Sequence, residues 1–310
     1  MLKNLAVLLA KSEVTYNTDP VPVAGTNAIL LENLEWSFDS ARLYERRPVR
    51  SSLAPLKPLY AGALMAVKFD VEIKGSGTAG TAPEVGPLLT ACGMSETIVA
   101  VTSVTYKPSS TVSTHKSVTL YIYQDGTLIK ITGARGMVSG DNNLGEAGKL
   151  HFTFVGHFVS RTDVALVTPT YSSQVPVPLI GIPFVADSLS AVITKLSWDL
   201  GNEIAKPGDI SKTDGFAEIR IANRKLMGSF DPEQTLVATY NWITKWQTGA
   251  AMALDSGLAG SVAGNRYKVT MPAITYVDLG NADKAGILTH EVKFQGMEST
   301  SDDDMSLVFT

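Results

Sequence analysis

Apolar and polar residues alternate with period two along most of the chain, in runs bounded by Gly, Pro, Asn or Asp. That is the pattern of half-buried antiparallel strands. In the first half it predicts strands near Ile29–Phe38, Ala63–Ile73, Thr97–Tyr106, Lys116–Tyr123, Thr127–Gly133 and Lys149–Val159. In the second half it predicts them near Ala191–Leu200, Ala217–Asn223, Leu226–Asp231, Arg266–Leu279 (broken at Pro272), Leu288–Gly296 and Met305–Thr310. The best-marked hairpin is Gln124-Asp125-Gly126-Thr127, where Asp-Gly supplies the positive φ angles that match strand twist. Each half also holds one helix. The first runs over about Glu84–Cys92 and stops at Gly93. The second runs over about Pro232–Thr248, with Asp231 as N-cap, Pro232 at the first helical position and Gly249 as the stop.

Between the halves, Val164–Pro183 carries Pro169, Pro176, Pro178 and Pro183, which suits an extended linker. Across that boundary the sequence order recurs. Asn33-Leu34-Glu35-Trp36-Ser37-Phe38 matches Lys195-Leu196-Ser197-Trp198-Asp199-Leu200, and Met65-Ala66-Val67-Lys68-Phe69-Asp70 matches Leu226-Met227-Gly228-Ser229-Phe230-Asp231. Phe152-Thr153-Phe154-Val155-Gly156 then matches Val292-Lys293-Phe294-Gln295-Gly296. Three matches in one order, with a helix between the second and third, predict a duplication. The expected fold is mainly β: two similar β-sandwich or barrel domains, each flanked by a helix, over residues 1–165 and 185–310, with a Pro-rich linker at 166–184.

Composition narrows the function. Hydrophobic residues are 45% and charged residues 18% of the 310, enough to bury a core and too apolar for a disordered chain. The formal charge of -4 argues against a surface built to grip phosphates. A single cysteine, Cys92, leaves no intramolecular disulfide, and there is no Cys/His cluster for zinc, so a reducing compartment is expected. The apolar run Leu5–Ala10 is too short for a signal peptide and lacks a cleavage site, so it reads as mature protein. No stretch reaches the roughly 18 apolar residues of a spanning helix.

Motifs with chemical meaning are few. Gly75-Ser76-Gly77-Thr78-Ala79-Gly80 matches G-x-G-x-x-G and follows a strand, but Pro83 delays the helix and no βαβ repeat surrounds it, so it reads as a flexible polar loop. Cys92 lies in an apolar helix end and reads as core. His151 and His157, six residues apart on one strand, stand about 20 Å from each other and cannot share a metal. His115 and His290 lack partners at ligand spacing, and all four histidines read as surface or edge residues. Asp302-Asp303-Asp304 lacks the spaced oxygens of a calcium loop. No catalytic, metal or cofactor residues are therefore assigned.

The segment Asp39–Gly62 is different, because about two dozen residues join two strands there. Loops longer than about 15 residues are uncommon in compact domains and tend to be functional or disordered. Tyr44, Arg46, Arg47, Arg50 and Tyr60, set among several prolines, read as an assembly interface, since Arg and Tyr are enriched where proteins meet. The corresponding loop of the second half, Gly201–Gly215, reads as shorter.

Three segments, Lys11–Pro22, Ala28-Ile29-Leu30 and Pro83–Met94, together resemble the tail tube proteins of tailed bacteriophages, and the resemblance spans nearly the whole chain. It implies a β-sandwich or barrel flanked by a helix, stacked rings around a DNA conduit, and a long loop, here Asp39–Gly62, that reaches the neighbouring ring. It implies no enzyme activity. The partners it implies are further copies of the chain, three per ring, with tape measure, tail terminator and distal tail proteins; DNA passes without specific binding and no membrane is involved. The location implied is the virion tail, assembled in the bacterial cytoplasm. A carbohydrate-binding or hydrolytic β-sandwich is the alternative, which requires exposed aromatics or a carboxylate pair; Trp242 and Trp246, four apart on one face of the expected helix, read as core or interface and not as a sugar platform.

Overall fold

The computed structural model describes residues 2–310. In chain order its elements are β1 (Ala6–Ser12), β2 (Ala28–Ile29), β3 (Glu32–Asp39), β4 (Leu43–Tyr44), β5 (Leu59–Tyr60), β6 (Leu64–Glu72), α1 (Gly86–Ala91), β7 (Met94–Val99), β8 (Ser103–Pro108), β9 (Val118–Gln124), β10 (Thr127–Asn143) and β11 (Lys149–Asp163). There follow β12 (Val185–Ala186), β13 (Leu189–Ser190), β14 (Lys195–Asp199), β15 (Glu203–Ala205), β16 (Arg220–Asn223), β17 (Met227–Phe230), α2 (Trp242–Thr248), β18 (Met252–Asp255), β19 (Tyr267–Lys284), β20 (Ile287–Met297) and β21 (Ser306–Phe309). Strand accounts for 47% of residues and helix for 5%, so the fold is mainly β with two short helices.

Every pairing is antiparallel. The first-half strands lie in the order β2-β1-β9-β10-β11-β6-β3. The second-half strands lie in the order β13-β12-β18-β19-β20-β17-β14. Between them, β10 pairs with β14, and β21 joins β19 to the β7·β8 hairpin. These pairings never return on themselves, so the barrel half of the expected sandwich or barrel is corrected: no sheet closes into a barrel. One continuous apolar core runs through both halves and includes Leu8, Phe69, Phe152, Trp198, Phe230 and Phe294.

The local signals behave as their chemistry requires. Asp125 and Gly126 both take positive φ and turn β9 into β10, with Gln124 opposite Thr127. The apolar run at the N-terminus, which carries alternate pairs for two faces, is β1, seated between β9 and β2 with Leu8 and Leu9 buried. Cys92 caps α1 inside the core, and burial pushes its thiol pKa well up.

Several expectations are corrected. Thr97–Tyr106 is not one strand but the β7·β8 hairpin, turned at residues 100–102, where Val101 takes a positive φ. Gly133 does not end β10: it sits at φ +61° inside a bulge, and the strand continues to Asn143. Pro272 does not break β19. It falls where the strand passes from β21 to β20, with no facing partner residue, so no ladder donor is lost. The G-x-G-x-x-G segment is tied down at its start, where Gly75 donates to Asn265 Oδ1 (2.9 Å) and Gly77 to the Gly264 carbonyl (2.9 Å). A Cβ on Gly75 would stand 2.0 Å from that carbonyl oxygen, so close backbone approach explains the glycine.

The second helix is also shorter than expected and begins at Trp242, capped by Asn241, whose side chain accepts from the Thr244 amide (3.0 Å). Asp231 has other work. Its carboxylate accepts from the amides of Thr194 (2.9 Å) and Lys195 (2.8 Å) and from the Thr194 hydroxyl (2.6 Å), tying the end of β17 to the start of β14. Asp70, one residue beyond Phe69, holds Asn33 in the same way, accepting from its side-chain amide (2.7 Å). Burial works to raise the Asp231 pKa, but Lys284, Thr194 and the two amides outweigh it and hold the carboxyl below the usual carboxylate range. Asp231→Ala should therefore cost about 1–3 kcal/mol at neutral pH. A depressed folded-state pKa stabilises above the unfolded carboxylate pKa, and that contribution fades as pH falls through the folded value. Urea denaturation of both proteins from pH 7 downward should show the gap closing; a gap independent of pH would refute the ionised role.

Candidate assembly surface

The connection from β3 to β6, residues 40–63, is anchored at its root and free at its tip. At the root, Arg42 and Gly62 exchange a backbone bond (2.9 Å), as do Ala61 and Arg42 (2.9 Å), and β4 pairs with β5 as a two-stranded sheet of its own. The Arg42 guanidinium donates to the Gly215 carbonyl (3.1 Å) and lies 4.1 Å over the Phe216 ring. Asp39 meets Lys206 at 2.5 Å. Gly62, at φ +103°, faces Asp214 so closely that a Cβ would stand 1.9 Å from its carbonyl oxygen, so only glycine fits. The root is thus pinned to the second-half connection between β14 and β17, residues 200–226.

That second connection is longer than expected. Ala217–Asn223 does not join the main sheet; its last residues form β16, which pairs only with β15. The two connections are therefore of similar length, and both carry a small two-stranded sheet.

The predicted interface residues sit on the free part of the first connection. Tyr44 and Tyr60 are 63% and 67% exposed at opposite ends of the small sheet. Arg46, Arg47 and Arg50 follow, all exposed. Arg47 pairs with Glu45 (2.7 Å), and Arg50 donates to the Ala54 carbonyl, so the tip folds on itself. Leu43, Val49, Leu53 and Leu59 are exposed beside them. Arginine, tyrosine and unburied aliphatic side chains on a fixed stem form a surface that can bind another protein.

A second cluster was not foreseen. His157 is buried, with Nδ1 2.5 Å from Asp214 and Nε2 2.9 Å from the Tyr16 hydroxyl. An Nδ1–H donating to the carboxylate leaves Nε2 to accept from Tyr16. The same hydroxyl accepts from the Ile219 amide (2.8 Å), and burial pushes its pKa up to about 12. Arg135, also buried, donates to the carbonyls of Lys116, His115 and Ile219 and pairs with Glu218 (2.9 Å). These contacts clasp the second connection onto the first half. The reading of all four histidines as surface or edge residues is thus corrected: His157 and His290 are buried. Only spacing along the chain was available to find the cluster, and 57 residues separate His157 from Asp214.

Among the described residues no group of three His, Cys, Asp or Glu side chains is placed to hold a metal ion, and no helix is long and apolar enough to cross a membrane. Trp242 is buried and stacks on Tyr276 (5.8 Å), so it forms no exposed pair with Trp246. No protein-family model matches the chain, and comparison with curated proteins gives no match.

Proposed function

We propose that the chain is a structural subunit that self-assembles into stacked rings, of the kind that forms the tail tube of a tailed bacteriophage. On this reading it is a duplicated tail-tube unit, residues 1–165 and 185–310 joined by the linker 166–184. The carrying observation is the equivalence of strand order and register. In the first half the row Trp36, Val67, Phe154, Gly136 crosses β3, β6, β11 and β10. In the second half the row Trp198, Gly228, Phe294, Tyr276 crosses β14, β17, β20 and β19. The residues that matched in sequence occupy corresponding rows, which unrelated sheets have no reason to share.

Two equivalent units in one chain let three chains close a pseudo-sixfold ring, since closed rotational symmetry is the common outcome of a repeated interface. The arm at residues 45–58 then reaches the next ring. A duplex carries one negative charge per about 1.7 Å, and every cation paired with phosphate would slow its passage. A chain of charge -4 whose arginines go to protein contacts suits a conduit that DNA traverses without being held. Tape measure, terminator and distal tail proteins are the partners at the tube's core and ends, and the virion tail is the location.

Negative-stain microscopy of the purified protein at rising concentration tests this reading. Stacked rings with three chains each are expected; rings of six whole chains, or a monomer at all concentrations, would refute it.

A further inference from the structure

We propose that the outer edge of β3 in one copy pairs antiparallel with the outer edge of β19 in the next, repeating between chains the β10·β14 pairing that joins the two halves within a chain. The proposal rests on the duplication read above. Within the chain, β10 has β11 along one side, while its other side is taken first by β9 (to Ala134) and then by β14 (Ser139–Asn143). The counterpart β19 has β20 along one side, but its other side is taken only by β18, as far as Ile274. From Thr275 to Lys284 that edge has no strand partner among the described residues. The counterpart of β14 is β3, and β3 pairs only with β6. The two strand edges that the duplication leaves open are therefore the two halves of a junction the chain already makes once.

Burial marks the same correspondence. Leu200, just past β14, is fully buried and its amide donates to the Val138 carbonyl (3.1 Å); its counterpart Phe38 is 54% exposed. Gly140 is buried under Trp198, whereas the corresponding Asn281 is exposed. Trp36 directs its indole N–H to Gln124 Oε1 (3.2 Å), and Asn281 accepts from the Gln234 side chain (2.8 Å).

The register follows from the intrachain one. Ser139 faces Asp199, Gly140 faces Trp198 and Asp141 faces Ser197. The bulge between Tyr276 and Asp278 moves β19 one residue on, so Gly280 should face Ser37, Asn281 should face Trp36 and Ala282 should face Glu35 of the neighbour. An eight-residue strand with an open edge is otherwise an aggregation template, and a defined partner removes that hazard. Because β3 and β19 are different surfaces, the contact is head-to-tail, and it closes as a ring when the rotation between neighbours is one third of a turn.

Disulfide capture tests the register against a clean background, since the sole native cysteine, Cys92, is buried. Protein carrying Ser37→Cys and Gly280→Cys should form interchain disulfides on mild oxidation, seen as a ladder on non-reducing gels that ends at three chains. Glu35→Cys with Ala282→Cys should do the same, which guards against misfolding of one pair. Phe38→Lys added to either pair should abolish the ladder while leaving the thermal midpoint within a few degrees. A ladder that runs past three chains would uphold the edge pairing and refute the closed ring. Tubes that form without crosslinks in either pair would overturn the edge pairing and leave the tube reading standing. Crosslinking by Ser37→Cys alone would overturn it too, since that contact would join like edges.

Discussion

Phe230→Ala should destabilise the protein by about 3–5 kcal/mol, the range for deleting a buried aromatic ring. Phe230 is fully buried, and its ring lies 5.2 Å from Phe184 and 6.0 Å from both Tyr276 and Phe294. It joins β14 to β20 through Leu196 and Val292 on either side, so collapse of the site would have to move three strands at once. Phe69, in the first half, lies 5.6 Å from Phe152 and 6.0 Å from Phe154, and Phe69→Ala should cost a similar amount. Since one core runs through both halves, each substitution should lower the midpoint of the same denaturant transition with little change in slope. A loss below about 1 kcal/mol, or two transitions of which each variant moves only one, would show that the halves pack independently.

Where the determinants of structure are local, the sequence displayed them. The Asp125-Gly126 turn needs only two residues with positive φ, and it sets Gln124 of β9 opposite Thr127 of β10. The errors come from residues whose partner lies far along the chain. Asp231 has the chemistry of a helix cap, but the amides of Thr194 and Lys195 across the sheet take its oxygens, and the cap falls ten residues later at Asn241. Pro272 and Gly133 stop strands in general, yet here they occupy a handover and a bulge, features defined by the neighbouring strand. The arm was visible by its length alone. Its anchoring by Arg42 and Gly62 to the second connection was not, since the two segments are more than 150 residues apart.

Deleting Arg46–Pro58 and closing the gap with a short Gly/Ser turn should leave the fold intact and abolish or sharply shorten tubes. The deleted residues lie beyond Tyr44 and contribute nothing to the apolar core. The anchoring contacts at Asp39, Arg42 and Gly62 stay in place, so unfolding free energy should change by less than about 0.5 kcal/mol, as for surface changes away from special features. Assembly is another matter, because stacking repeats one contact at every subunit around a ring. A loss too small to notice in one contact is multiplied by the number of contacts, and joint engagement fails once each is weak. The two classes of contact can then be told apart. Loss of the arm should leave single rings, and leave the Ser37–Gly280 crosslink expected above, while ring-on-ring stacks disappear. Tubes of unchanged length would show that the arm is not the stacking element, and loss of the crosslink together with the tubes would place it at the contact between neighbours within a ring.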